Sequence, residues 1–217
     1  IQDKINTKEI FFLFSLFSIS LLIRSIGVKH GFPLLTHPDE FVILNPIVDM
    51  TRNHTLNPGV YNRPNHILIL LNFFYLNIIS YLRFGENFAV AFPLHQLNFY
   101  HYARLLISFM GSLIPVFAYL IGKEFRPRLG LPMALVFAFF PSYILHSLYI
   151  TPDIPITLFT LIIIFFTLKF LNTERNEFLY LAILFSAINT AEKYPGLLSL
   201  AIPVAGVFIK HFEGQPN

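Results

Sequence analysis

The sequence predicts an all-α fold, a polytopic transmembrane helix bundle with a long first outer loop, and three observations predict it. The 217 residues are 55% apolar and 17% aromatic but only 12% charged, and the mean hydropathy is +0.62. Uncharged runs repeatedly reach the roughly 20 residues a helix needs to cross hydrocarbon at a rise of about 1.5 Å per residue. Basic residues collect in the short connections between those runs, as they do on the cytoplasmic side of membrane proteins. A soluble domain carries charge on about a quarter of its residues, and a chain this rich in Phe, Leu and Ile cannot stay solvated as a disordered one.

The first span is 10–28, interrupted only by Arg24, whose long side chain can snorkel from the helix end. Lys4 and Lys8 precede it as they would precede the apolar core of a signal peptide, but no small-x-small cleavage site follows, so the span is read as retained. The segment 64–82 is uncharged and long enough to cross, yet Asn65, His66, Asn72, Asn77 and Ser80 fall within an arc of about 140° at 100° per residue. Leu68, Leu71, Phe74, Ile78 and Leu82 are left to the other face, which predicts a helix lying in the interface. Further spans follow at 105–122, 129–152 and 154–171, with Pro115 and Pro141 as kinks. Two shorter ones, 178–191 and 194–209, hinge on Glu192-Lys193-Tyr194-Pro195-Gly196.

With 64–82 not crossing, Lys4, Lys8, the turn from Lys123 to Arg128, Lys169, Arg175 and Lys210 share the side of the N-terminus, which the positive-inside rule makes cytoplasmic. Residues 29–103 then form one outer loop, and Asp153 and Lys193 lie on its side. The net charge of +3 is scattered and excludes a nucleic-acid surface, which needs clustered cations. The absence of Cys removes disulfides, thiolate metal sites and cysteine nucleophiles. The first residue is Ile and the chain stops in a polar tail after an apolar run, which reads as a piece of a longer protein.

Two acidic motifs fall on the outer side: Thr36-His37-Pro38-Asp39-Glu40 after the first span, and Thr151-Pro152-Asp153 before the fourth. Each also reads as a plain helix start, with a cap, a Pro and an acid in the first turn. Ionisable groups at membrane depth are rare and mark pathways or sites, so Asp39 and Glu40 are the candidate catalytic carboxylates, one abstracting a proton from a hydroxyl while its neighbour orients it. Asp153, Lys193, Tyr194, Arg63 and Arg104 are the candidate substrate-binding residues, the cations answering the charge of a departing phosphate. Lipid anchoring is the other reading of Arg63 and Arg104. His37, Asp39 and Asp153 are candidate ligands for Mg, Mn or Zn, though no spacing here is diagnostic. His146 reads as a helix–helix hydrogen-bonding residue. Asn53-His54-Thr55 fits the N-glycosylation pattern, which is frequent by chance.

The order of His37-Pro38-Asp39-Glu40-Phe41, Asn57-Pro58, an amphipathic segment, Tyr102-Ala103-Arg104-Leu105 opening a span, Gly111, Pro141, Asp153 and Glu192-Lys193-Tyr194 resembles the N-terminal portion of GT-C glycosyltransferases of the protein O-mannosyltransferase and glycosyltransferase family 39 type. The resemblance covers about residues 10–209 and implies a GT-C-like domain over 1–217 with juxtamembrane helices in the first outer loop. It also implies transfer of a sugar from a polyprenyl-phosphate donor to a hydroxyl of a lipid, glycan or protein acceptor, at the outer face of the cell membrane or in the endoplasmic reticulum of a eukaryote. By that resemblance Asp39 matches the catalytic acid, Glu40 its neighbour, Asp153 the acid of the second outer loop, and Lys193 a lysine near the donor phosphate. Glu192 departs from it, standing where many relatives have Thr or Ala. Metal use differs among GT-C branches, so the resemblance implies none. The alternative from another class is a transporter or lipid-binding membrane module using the same acids as an ion pathway.

Overall fold

The computed structural model describes residues 7–34, 37–61 and 65–213, and every regular element among them is helical. Helix α1 (Thr7–Ser25) is followed by α2 (Glu40–Arg52), α3 (His66–Phe84) and the single turn α4 (Phe88–Ala91). The bundle continues with α5 (Gln96–Phe125), α6 (Gly130–Phe139), α7 (Pro141–His146), α8 (Asp153–Thr173), α9 (Asn176–Glu192) and α10 (Ala201–Glu213). By length and apolarity alone, four segments could cross a bilayer: His66–Phe84, Gln96–Phe125, Asp153–Thr173 and Tyr194–Phe212. Phe11, Phe14, Leu22, Phe139, Leu184 and Phe208 stand exposed on the bundle helices, as lipid-facing side chains do in a membrane protein.

Ion pairs define one end of the bundle. Lys123 near the end of α5 pairs with Glu9 at the start of α1, Lys169 Nζ lies 2.6 Å from Glu124 Oε1, and Lys210 Nζ lies 2.7 Å from Glu174 Oε1. Lys123, Lys169 and Lys210, assigned to one side from sequence, share this end, whereas Lys4 lies outside the described residues. Alternate helices run away from it and back: α1 out, α5 back, α6 with α7 out, α8 back, α9 out, and the 3-10 turn Tyr194–Leu200 with α10 back. Gly111 permits the close approach of α5, since a Cβ there would stand 2.3 Å from the Ser147 hydroxyl.

The single helix expected over 129–152 is broken. Phe140 is extended and Pro141 opens α7, so α6 is only 10 residues long. Proline has no N–H to return to the carbonyl four residues back, and Arg24 replaces it, with Nη2 3.1 Å from the Phe137 carbonyl and Nη1 3.3 Å from that of Ala138. Arg24 is thus fully buried and does not snorkel. The last expected span, 194–209, likewise opens as a 3-10 turn before α10.

The segment expected from sequence to be a long outer loop is a packed layer. Ile43, Leu44 and Ile47 of α2, Leu68 and Leu76 of α3, Phe88 and Phe99 are all completely buried in one apolar cluster. The polar arc of α3 meets protein: Asn72 and Ser80 are buried, while Leu71, Phe74, Ile78 and Leu82 are exposed. Leu68, placed on the apolar face from sequence, faces inward with that arc. The helix stops at Gly85, whose φ of 72° supplies the left-handed cap. At its start the Leu68 amide bonds to Glu192 at the end of α9, and at its finish Phe84 stacks on His95, ahead of α5, at 4.1 Å. Both ends of α3 thus meet the bundle end opposite the ion pairs.

Candidate active site

The two acidic motifs come together at that opposite end. Asp39 directly precedes α2, partly buried, and its backbone N–H points to His37 Nδ1 at 3.3 Å. Its side chain makes no capping bond to the helix, so the plain helix-start reading does not use its carboxylate. Glu40 Oε1 accepts the Ile150 N–H at 3.1 Å, and the His37 ring lies 4.9 Å from that of Tyr149. Asp153 follows three residues later in the first turn of α8. Thr36 lies outside the described residues.

A cleft of about 330 Å³ opens beside Asp153, lined by Ser142, Tyr143, His146, Asp153, Ile154 and Thr157. Asp153 Oδ2 is 3.4 Å from His146 Nδ1, and its Oδ1 is 3.6 Å from Lys193 Nζ. All three side chains are roughly half exposed. An ion pair so open to water is worth about 0–1 kcal/mol and gives way readily to a charged substrate. Lys193 is held in extended backbone after α9 by the Gly196 N–H to its carbonyl at 2.7 Å. Only glycine fits that turn, because a Cβ on Gly196 would come 2.1 Å from the Asn189 carbonyl oxygen. Tyr194 donates its hydroxyl to the Tyr61 carbonyl at 2.8 Å, tying this turn to the chain between α2 and α3.

The structure places the other candidate residues as follows. Glu40 and Arg104 are both completely buried and bonded to each other through two 2.7 Å contacts. Arg104 also donates to the carbonyls of Val28 and His30 at 2.9 and 2.8 Å. In this structure both are therefore engaged inside the protein, bracing the loop ahead of α2 against α5. His37, Asp39 and Asp153 do not gather into a metal centre, and no cluster of three or more His, Cys, Asp or Glu suited to a metal occurs among the described residues. Arg63 lies outside the described residues. Sequence reasoning gave His146 no part here; its position seven residues before Asp153, across a break at Ser147, hid their approach.

An apolar helix bundle with an acid, an imidazole and an ammonium group gathered at one end defines a membrane protein of the helical-bundle class with a polar cleft at one end of the bundle. Residues 100–211, more than half of the chain, match the family model for dolichyl-phosphate-mannose-protein mannosyltransferase, and the chain belongs to that family. It is a membrane glycosyltransferase of the GT-C type. No curated protein and no solved structure matches it. The matched stretch carries Arg104, Asp153, Lys193 and Tyr194, whereas Asp39 and Glu40 lie ahead of it.

Proposed function

We propose that this chain is the N-terminal part of an enzyme that moves a sugar from a polyprenyl-phosphate carrier to an acceptor hydroxyl of a lipid, glycan or protein at the outer face of the membrane, with inversion. The observation that carries this reading is the meeting of the two acidic motifs at one end of the bundle, joined by Glu40 and Ile150. In this scheme α3 lies along the interface above the bundle, a reading supported by the docking of both its ends on the same side.

Asp39 accepts the proton of the acceptor hydroxyl as the oxygen attacks the anomeric carbon. The bond from that carbon to the phosphate oxygen breaks on the opposite face, and its electron pair leaves with the polyprenyl phosphate. Lys193 exchanges Asp153 for the phosphate as its negative charge grows, the stage at which a fixed cation accelerates the step. Asp153, released, accepts hydrogen bonds from sugar hydroxyls.

The test is release of polyprenyl phosphate from polyprenyl-phosphate mannose by the full-length enzyme in lipid nanodiscs. Removing a general base typically costs about a hundredfold or more, so Asp39→Asn should lower kcat by at least that factor with the protein still folded. Wild-type turnover in Asp39→Asn, or a product that keeps the donor's anomeric configuration, overturns the scheme.

A further inference from the structure

Glu192 is a carboxylate with no exposure to water, next to Lys193 in sequence but unused by the transfer scheme. Burying such a group is costly unless it is bonded, and its bond is to the start of another helix. Helix α3 opens on Asn65, which is left-handed at φ 34° and makes no side-chain cap. The first amides of a helix have no partner within it, and that of Leu68 finds Glu192 Oε2 at 2.8 Å. An acceptor oxygen there also sits favourably against the helix dipole.

Acceptors without donors occur on both helices. Glu192 Oε1 has no partner, nor does Oδ1 of Asn189 one turn earlier on α9, nor Oδ1 of Asn72 one turn beyond Leu68 on α3. Helix α3 also packs on α2: Asn77 donates to Thr51 Oγ1 in the last turn of α2 at 3.2 Å, and Asp39 stands directly before the other end of that helix. In the other direction Lys193 reaches Asp153 and Tyr194 reaches the Tyr61 carbonyl. Consecutive residues thus bind α3, α8 and the outer loop.

We propose that Glu192 is a positioning residue for sugar transfer, capping α3 from α9 and thereby holding the layer that carries Asp39 in fixed relation to Lys193 and Asp153. This rests on the function proposed above. Small misplacements of reacting groups can cost about a hundredfold in rate, so Glu192→Ala should lower kcat for polyprenyl-phosphate mannose by about ten- to a hundredfold while the donor KM changes less than threefold. Glu192→Gln keeps an acceptor for Leu68 and adds an N–H2 for the unpaired oxygens, and should restore kcat to within about threefold of wild type. Hydrogen exchange at amides 67–69 in the same full-length protein should quicken in the Ala variant and not in the Gln variant. Wild-type kcat in Glu192→Ala, a Gln variant as impaired as Ala, or unchanged exchange at 67–69 overturns the inference. If wild type releases polyprenyl phosphate and Asp39→Asn does not, any of these outcomes overturns it alone; a wild type that releases none overturns the transfer reading with it.

Discussion

A guanidinium without contact to water stands near the start of α5, and its neighbours account for it. Arg104 meets both oxygens of Glu40 and two backbone carbonyls, with the ring of Phe32 4.7 Å and that of Tyr149 5.5 Å away. Taking two charges out of water offsets much of their attraction, so such a pair adds little net stability, but removing one partner leaves the other buried and uncompensated. Arg104→Met should therefore destabilise the protein by about 3–5 kcal/mol, and Glu40→Leu with Arg104→Met should recover most of that loss. Thermal unfolding in detergent distinguishes them; a double variant no more stable than the single would mean the two charges do not depend on each other. The division of labour within Asp39-Glu40 was in fact legible. Glu40, Ile43, Leu44 and Ile47 are all buried, and their spacing of three and four is the inward stripe of a helix. Neighbouring side chains on a helix point about 100° apart, so Asp39 does not share the buried direction of Glu40, and it stays partly exposed.

At the scale of the element, uncharged length told where the chain is apolar but not where its backbone is continuous. Pro141 breaks 129–152 into α6 and α7, and the carbonyls released at the break are met by Arg24 from α1, more than a hundred residues away in sequence. No local pattern could name that partner; the sequence showed only a cation in an apolar run. Arg24→Leu should strand the Phe137 and Ala138 carbonyls, each at a cost of about 1–3 kcal/mol. Pro141→Ala in the same chain gives an N–H back to Phe137 and should recover part of the loss. Additive destabilisation in the double variant, read from unfolding midpoints, would show that Arg24 does not serve the break. Helix α3 teaches a related lesson. Its polar arc was visible in the spacing of Asn72, Asn77 and Ser80, but amphipathicity states only that one face is polar and leaves open whether water or protein covers it.

For the whole molecule, the arrangement of ends is what turns separate polar residues into a site. Lys123, Lys169 and Lys210 close one end with their acidic partners, and Arg104, Asp153, Glu192 and Lys193 lie at the other. This grouping follows from counting passes, so it was readable once 64–82 was taken not to cross; had it crossed, every later helix would reverse direction and Asp39 would lie a bilayer away from Asp153. The Ile150–Glu40 bond supports the first arrangement, which remains a proposal. Because the chain has no Cys, single cysteines report on it cleanly. Phe41, Asp153 and Arg126 all have exposed or half-exposed side chains, so a membrane-impermeant thiol reagent can reach each from its own side. Cysteines at 41 and 153 should be labelled in intact cells or sealed outward-facing vesicles, and one at 126 only after the membrane is opened. Labelling at 41 and 126 without 153 would separate the two carboxylates by the thickness of the membrane. Neither Asp39 with Lys193 in one reaction nor a cap from Glu192 onto α3 could survive that result, since both need the first outer loop and the far end of α9 in the same compartment.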